Sequence, residues 1–141
     1  MILDGQNLFS EDQVVTATAA STNLIDLNAA GDLGNGTNLY IDVVVVSALV
    51  GSGATLAVTV ETDDNAAFAS AAVVQTIGTF SALAAAGTRL VARIQPEAVT
   101  ERYVRLKFTV AGGTMTDSGV TAFIAHGIDA TAHYADAITI S

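Results

Sequence analysis

The chain has no cysteine, no tryptophan, one proline and only five cationic residues among 141. Without cysteine there is no disulfide framework, no thiolate metal centre and no thiol nucleophile, and redox chemistry says nothing about the compartment. Against the five cations stand 14 acidic residues, leaving a net charge of −9. A surface of that sign repels nucleic acid and anionic membranes at long range, so neither is expected as a partner. Long apolar runs are also missing. The longest, near Tyr40–Val50, is interrupted by Asp42 and falls far short of the ~20 residues a spanning helix needs. The opening MILDGQNLFSEDQ lacks the basic start and apolar stretch of a secretory signal, so synthesis in the cytoplasm is expected.

What is present is mostly small and uncharged. Charged residues make up 13% and apolar ones 51%, the former well below the usual quarter. Much of the apolar share is alanine, so many Ala, Thr and Ser side chains must face outward. Such a surface suits protein packed on protein, because interface cores are depleted of charge; it equally suits a small fold with a neutral exterior. The length fits one domain with a core of its own.

All five cations fall within Thr88–Val110, at Arg89, Arg93, Arg102, Arg105 and Lys107. Two runs there alternate with the period of two of a pleated strand. In the first, Leu90, Ala92 and Ile94 oppose Arg89 and Arg93. In the second, Val104, Leu106, Phe108 and Val110 face a core, while Tyr103, Arg105, Lys107 and Thr109 face out. Gln95-Pro96-Glu97-Ala98 supplies the turn between them, since proline cannot donate to a ladder. Either these cations pair with outward acids such as Asp42 or Glu61 on neighbouring strands, or they meet an acidic neighbour, a second copy included.

The rest of the chain reads as short strands. Residues 1–12 form an arm whose Ile2, Leu3, Leu8 and Phe9 dock on the body or on a neighbour. Strands follow at Gln13–Thr18, Thr22–Leu27, Leu39–Val46, Ala54–Thr62, Val73–Phe80 and, after the cationic pair, Gly119–His126. Asn28–Asn38 is a glycine-rich loop, Ser47–Gly53 a connection, and Asp63–Ala72 a loop with one helical turn anchored by Phe68. The body spans 13–126, and a tail over 127–141 carries a last strand at Ala137–Ile140. No heptad or long amphipathic helix occurs. The expected fold is all-β, a β-sandwich. A meander would gather the cations on one face, whereas a jelly roll would put the two sets on opposite outer faces. The count of eight strands from Thr22 favours a jelly roll with extended N- and C-terminal arms.

Chemistry finds little support. His126, Asp129, His133 and Asp136 are imidazoles and carboxylates that suit zinc or manganese, but their spacing matches no ligand pattern and reads as solvated tail side chains. Glu61, Asp63, Asp64 and Asn65 offer oxygen to calcium, yet lack the alternation and central glycine of an EF-hand; capping a turn explains them better. No glycine-flanked serine elbow exists. Among so many carboxylates an acid pair is available by count, but the aromatic platforms of sugar-cleaving sites are absent. Asn35-Gly36 and Gly51-Ser-Gly53 are turns without the lysine or helix of a phosphate cradle. No enzyme, metal or cofactor is expected.

Three stretches, NLFSEDQVVTATAASTNLIDL, TDDNAAF and RYVRLKFTVAGGT, resemble the small capsid cement (decoration) proteins of tailed bacteriophages, of the Bordetella-phage type. The resemblance covers roughly residues 3 to 126. It implies a non-enzymatic jelly roll on the outside of an icosahedral shell, stapling major capsid subunits, often as a homodimer at two-fold positions, with a trimer as the alternative. It transfers no residue roles. Beside it, the residues themselves suggest contacts through Ile2, Leu3, Leu8, Phe9, Arg89, Arg93, Arg105 and Lys107, with His133 and Tyr134 from the tail. A carbohydrate-binding sandwich displayed on a virion is the other expectation; it needs a row of aromatics on one sheet face, for which Tyr40, Tyr103 and Tyr134 are the candidates.

Overall fold

A computed structural model describes residues 5–30, 38–95 and 97–126. Among the described residues a 3-10 turn, Gly5–Asn7, precedes nine strands: β1 (Leu8–Gln13), β2 (Ala19–Ala20), β3 (Ile25–Asp26), β4 (Leu39–Ser52), β5 (Thr55–Asp63), β6 (Ala72–Phe80), β7 (Arg89–Arg93), β8 (Tyr103–Ala111) and β9 (Thr114–His126). One sheet runs β1-β9-β4-β7. The other runs β2-β8-β5-β6, with β3 also on β8, and all named pairs are antiparallel. Apart from the β2–β3 and β5–β6 steps, successive strands pass between the sheets, so that β9 inserts between β1 and β4, and β8 between β2 and β5. That is the double Greek key of a jelly roll.

Alternation decides which side chains make the core. Ile41, Val43, Val45, Val120 and Ala122 from the first sheet meet Leu56, Val58, Val60, Val104, Leu106 and Phe108 from the second, all buried. Phe9, Val15, Phe80, Ile94, Val99 and Met115 complete the same cluster. Their opposite neighbours along each strand form the two outer faces.

Several expectations change. The first is the arm: β1 begins at Leu8 and pairs with β9 through Leu8↔Phe123 and Gln13↔Val120, so the sandwich starts inside the span assigned to it. Phe9 is fully buried in the chain's own core and cannot serve a neighbour, and Leu8 is half-buried on the sheet. A polar run, Ser10-Glu11-Asp12-Gln13, hid this strand because bulges, with Asp12 at φ 45°, break its alternation. Gln13–Thr18 is therefore mostly a connection, and Thr22–Leu27 contracts to β3. Ser47–Gly53 is strand, not linker, as far as Ser52: Leu49 returns to the core and Val50 pairs with Asp117. β9 correspondingly starts at Thr114 instead of Gly119. The tail strand at Ala137–Ile140 lies outside the described residues, as does Pro96; the turn beside it closes through the Ala98 N–H donating to Gln95 O at 3.2 Å.

Two glutamines close the sides of the sandwich. Gln13 Nε2 donates to Ala20 O at 2.8 Å while its Oε1 accepts the Thr22 N–H at 3.1 Å, joining β1 to the β2 edge. Gln75 Nε2 donates to Arg93 O at 2.7 Å and its Oε1 accepts the Gln95 N–H at 3.1 Å, joining β6 to β7. Each side-chain amide thus occupies backbone groups at a sheet edge that would otherwise template pairing with another chain.

Candidate functional site: the charged outer faces

The jelly roll separates the cations. On β7, Arg89, Val91 and Arg93 stand outward beside Val44, Asp42 and Tyr40 of β4. On β8, Arg105 and Lys107 stand outward on the other sheet, opposite Glu61 and Thr59 of β5. The two sets lie on opposite faces of the molecule.

Three of the proposed contact residues are held by this chain's own acids. Arg89 grips the fully buried Asp42 with both arms of its guanidinium, Nε donating to Oδ1 at 3.2 Å and the terminal nitrogen to Oδ2. Arg105 Nε donates to Glu61 Oε2 at 2.9 Å, and Lys107 Nζ lies 3.6 Å from Glu61 Oε1. Glu61 is only 3% exposed, and a buried carboxylate needs such partners. The Arg105 guanidinium also sits over the Phe68 ring at 4.1 Å from its centroid, which explains why that loop anchor is buried on an outer face. Cross-strand pairing thus accounts for Arg89, Arg105 and Lys107. Arg93 differs: it is exposed, and among the described residues no carboxylate lies within ion-pair distance. Ile2, Leu3, His133 and Tyr134 lie outside the described residues.

Arg102, unassigned by sequence reasoning, fastens β3 to β8. Its Nε and terminal nitrogen donate to Asp26 Oδ1 and Oδ2 at 2.7 and 2.8 Å, and it lies 4.9 Å from the Tyr103 ring centroid. Those bonds from Arg102, then the Asn28 N–H, hold the Asp26 carboxyl at about 2 against an ordinary 3.8, despite some opposing desolvation. A depressed carboxylate contributes stability that is fully present above its unfolded value and lost as pH falls through the folded one. The β3 attachment should accordingly weaken between about pH 4 and pH 2. NMR titration of the Asp26 carboxyl should give a midpoint near 2, moving up toward 3.8 in Arg102→Ala; an unmoved midpoint would reject Arg102 as the cause.

Asp63 behaves as a turn-former. Burial opposes its ionisation, but bonds from the Asn65 and Ser70 backbone N–H groups and the Ser70 hydroxyl outweigh that and lower its pKa. Asn65 Oδ1 in turn accepts the Ala67 N–H at 2.9 Å. Asp63 and Asn65 thus bind the loop's own amides, whereas Glu61 holds Arg105 and Lys107 instead of capping the turn. Among the described residues no group of three His, Asp or Glu side chains gathers to hold a metal. A shallow groove between β6 and β7 is lined by Val73, Val74, Gln75, Thr76 and Gln95, none titratable near neutrality. Tyr40 and Tyr103 stand on opposite sheets, so they make no shared aromatic row.

These features define an all-β jelly roll whose outer faces pair Arg89, Arg102, Arg105 and Lys107 with the chain's own acids. A family model described as Bbp16 matches residues 9–124, from β1 to β9, and the chain belongs to the Bbp16 family. That membership supports a phage structural protein with a place in the virion. No curated protein matches. Among solved structures, one of the Gx strain of infectious bursal disease virus is similar at 20% identity and a TM-score of 0.42, covering 85% of this chain and 31% of that one. The CBM22-1–GH10 modules of Clostridium thermocellum xylanase 10B, complexed with xylohexaose, are similar at 13% identity and a TM-score of 0.42, covering 86% and 29%. The chain spans less than a third of either protein, and likeness this distant carries no functional argument.

Proposed function

We propose that this chain is a capsid cement protein, binding the outside of an icosahedral phage shell and stapling neighbouring major capsid subunits. The observation that carries the reading is the Bbp16 match over the whole sandwich. The low charge content and the internal neutralisation of Arg89, Arg102, Arg105 and Lys107 are consistent with it, since such faces lose little on desolvation against protein. The protein performs no catalysis in this role. It is made in the host cytoplasm and ends on the capsid exterior, with the major capsid protein as its partner and a homodimer at two-fold positions as the geometry; a trimer is the alternative.

The mechanism is mass action. A protein that binds assembled neighbours better than separate ones stabilises the assembly in proportion to its occupancy, and a lattice of sites multiplies a modest local affinity. Ile2 and Leu3, and His133 and Tyr134 of the tail, are the terminal contacts we assign to neighbouring subunits. Purified protein added to capsids lacking it should co-sediment with them at a fixed ratio and raise the temperature at which shells lose integrity. Added salt should weaken any contribution from Arg93, whose exposed charge is screened. Absence of co-sedimentation, or binding with unchanged shell stability, would reject the reading.

A further inference from the structure

Among the described residues the edge strands are β1 and β7 of one sheet and β2 and β6 of the other. Three of them are guarded. β1 carries Glu11 and Asp12, β7 carries Arg89 and Arg93, and β2 is only two residues long; charge or shortness keeps an edge from pairing with a stray strand. β6 has neither protection, since its nine residues, AVVQTIGTF, include no charge and no proline. Its ladder partner is β5, so alternate backbone N–H and C=O groups point away from the sheet. Val73 on this strand is 58% exposed. The Gln75 amide reaches across to Arg93 O and the Gln95 N–H, which serves the end of β7 and leaves the β6 backbone uncovered. Alongside runs the groove lined by Val73, Val74, Gln75, Thr76 and Gln95, with exposed Arg93 next to it.

Position, pattern and charge all select the same occupant, the chain's own residues 127–141, which lie outside the described ones. β9 ends at His126 opposite Leu39, and the Leu39 carbonyl accepts the Ile94 N–H at 2.8 Å, one residue before Gln95. Two strand spacings and one step between sheets, about 20 Å in all, separate His126 from β6. The ten residues 127–136 can span about 33 Å. Beyond them Ala137-Ile-Thr-Ile140 alternates and is rich in β-branched residues, as an added strand requires. Residues 127–141 carry Asp129 and Asp136 and no Lys or Arg. That complements Arg93, which has no carboxylate within ion-pair distance among the described residues. The edge at β1 presents exposed Glu11 and Asp12 and repels the same segment. We propose that Ala137–Ile140 pairs along the outer edge of β6 in the same molecule, with the isoleucines toward the groove and Asp136 facing Arg93. His133 and Tyr134 precede the added strand and stay available to a neighbouring subunit. The inference concerns the free protein and does not rest on capsid binding.

Hydrogen exchange of the full chain, compared with a chain ending at His126, tests it. Amides of Val73–Thr79 should exchange about tenfold faster or more once residues 127–141 are removed, while those of β5, β8 and β9 keep their rates. A full-length Ile138→Lys, Ile140→Lys protein should show the same acceleration without any shortening, which keeps the test open if the shorter chain folds poorly. Protection of β6 should also survive about a hundredfold dilution, because the added strand is tethered to its own site. Equal exchange in β6 with and without residues 127–141, or lysine substitutions that leave its protection intact, would overturn the proposal. Protection lost on dilution would assign the covering strand to another molecule and overturn it equally.

Discussion

Replacing Gly113 by alanine will destabilise the sandwich by about 3 kcal/mol or more, and Gly51→Ala will do much the same. These glycines lie where the two connections between sheets, β4 to β5 and β8 to β9, pack side by side. A Cβ on Gly113 would overlap the Ser52 carbonyl oxygen and lie 2.9 Å from its carbon and 3.0 Å from Ala54 N. One on Gly51 would overlap Thr114 O and lie 2.9 Å from Met115 Cα. Every obstructing atom is backbone, so no side chain can rotate away, and relief requires separating the connections themselves. Gly53 bridges Thr114 at the same corner. Gly87→Ala is the control: its φ is +92°, but no atom lies within 4 Å of the added Cβ, so it carries conformational strain alone, about 1–2 kcal/mol. Against a total of about 5–15 kcal/mol, urea unfolding should show a clearly lower midpoint at unchanged slope for Gly113→Ala and a small shift for Gly87→Ala. Equal shifts would show that packing at the corner is unimportant.

That corner marks where the sequence is hard to read. Gly51-Ser-Gly53 and Ala111-Gly112-Gly113-Thr114 announce turns, and glycine permits both left-handed backbone and close approach. Only their long-range apposition distinguishes the second use. Strands β5 to β8 were legible to within a residue or two, and in β5 and β8 one buried face enforces strict alternation from Leu56 through Val60 and from Val104 through Phe108. β4 was legible only as far as its valines: past Val45 its pairing with β9 shifts register repeatedly, and Val46, Ser47 and Ala48 are all exposed before Leu49 returns to the core. β2 and β3 are two residues each and make no periodic signal.

The charged faces were legible in a different way. The clustering of cations is a sequence fact, and jelly-roll topology then predicts their separation onto opposite faces. Which acid each one finds is set by register: Glu61 stands directly across from Arg105, with Lys107 two residues on, and Asp42 lies two pairs away from Arg89 along the β4–β7 ladder. A register error of one residue would have turned those side chains to the other face. The exposed Arg93 is therefore informative only once its neighbours on the sheet are known.

Phe9 carries the other large effect. Phe9→Ala should cost about 3–5 kcal/mol, the usual range for emptying a buried phenylalanine site. The side chain is 0% exposed within the main core cluster, and its carbonyl accepts the Asn23 N–H at 2.8 Å, tying β1 to the segment before β3. Removing residues 1–9 would therefore take away the Leu8↔Phe123 pairing, the aromatic core group and that bond together. A shortened protein that failed to occupy capsids would be reporting a damaged sandwich, not a missing arm. The two roles separate by position. Thermal melting of Phe9→Ala should fall by roughly ten degrees, taking a few degrees per kcal/mol for a domain of this size, whereas Ile2→Ser with Leu3→Ser should melt like wild type and lose occupancy on the shell. A Phe9→Ala protein melting within a degree or so of wild type would remove β1 from the core, and an Ile2→Ser, Leu3→Ser protein that still decorates capsids fully would remove the first residues from the contact.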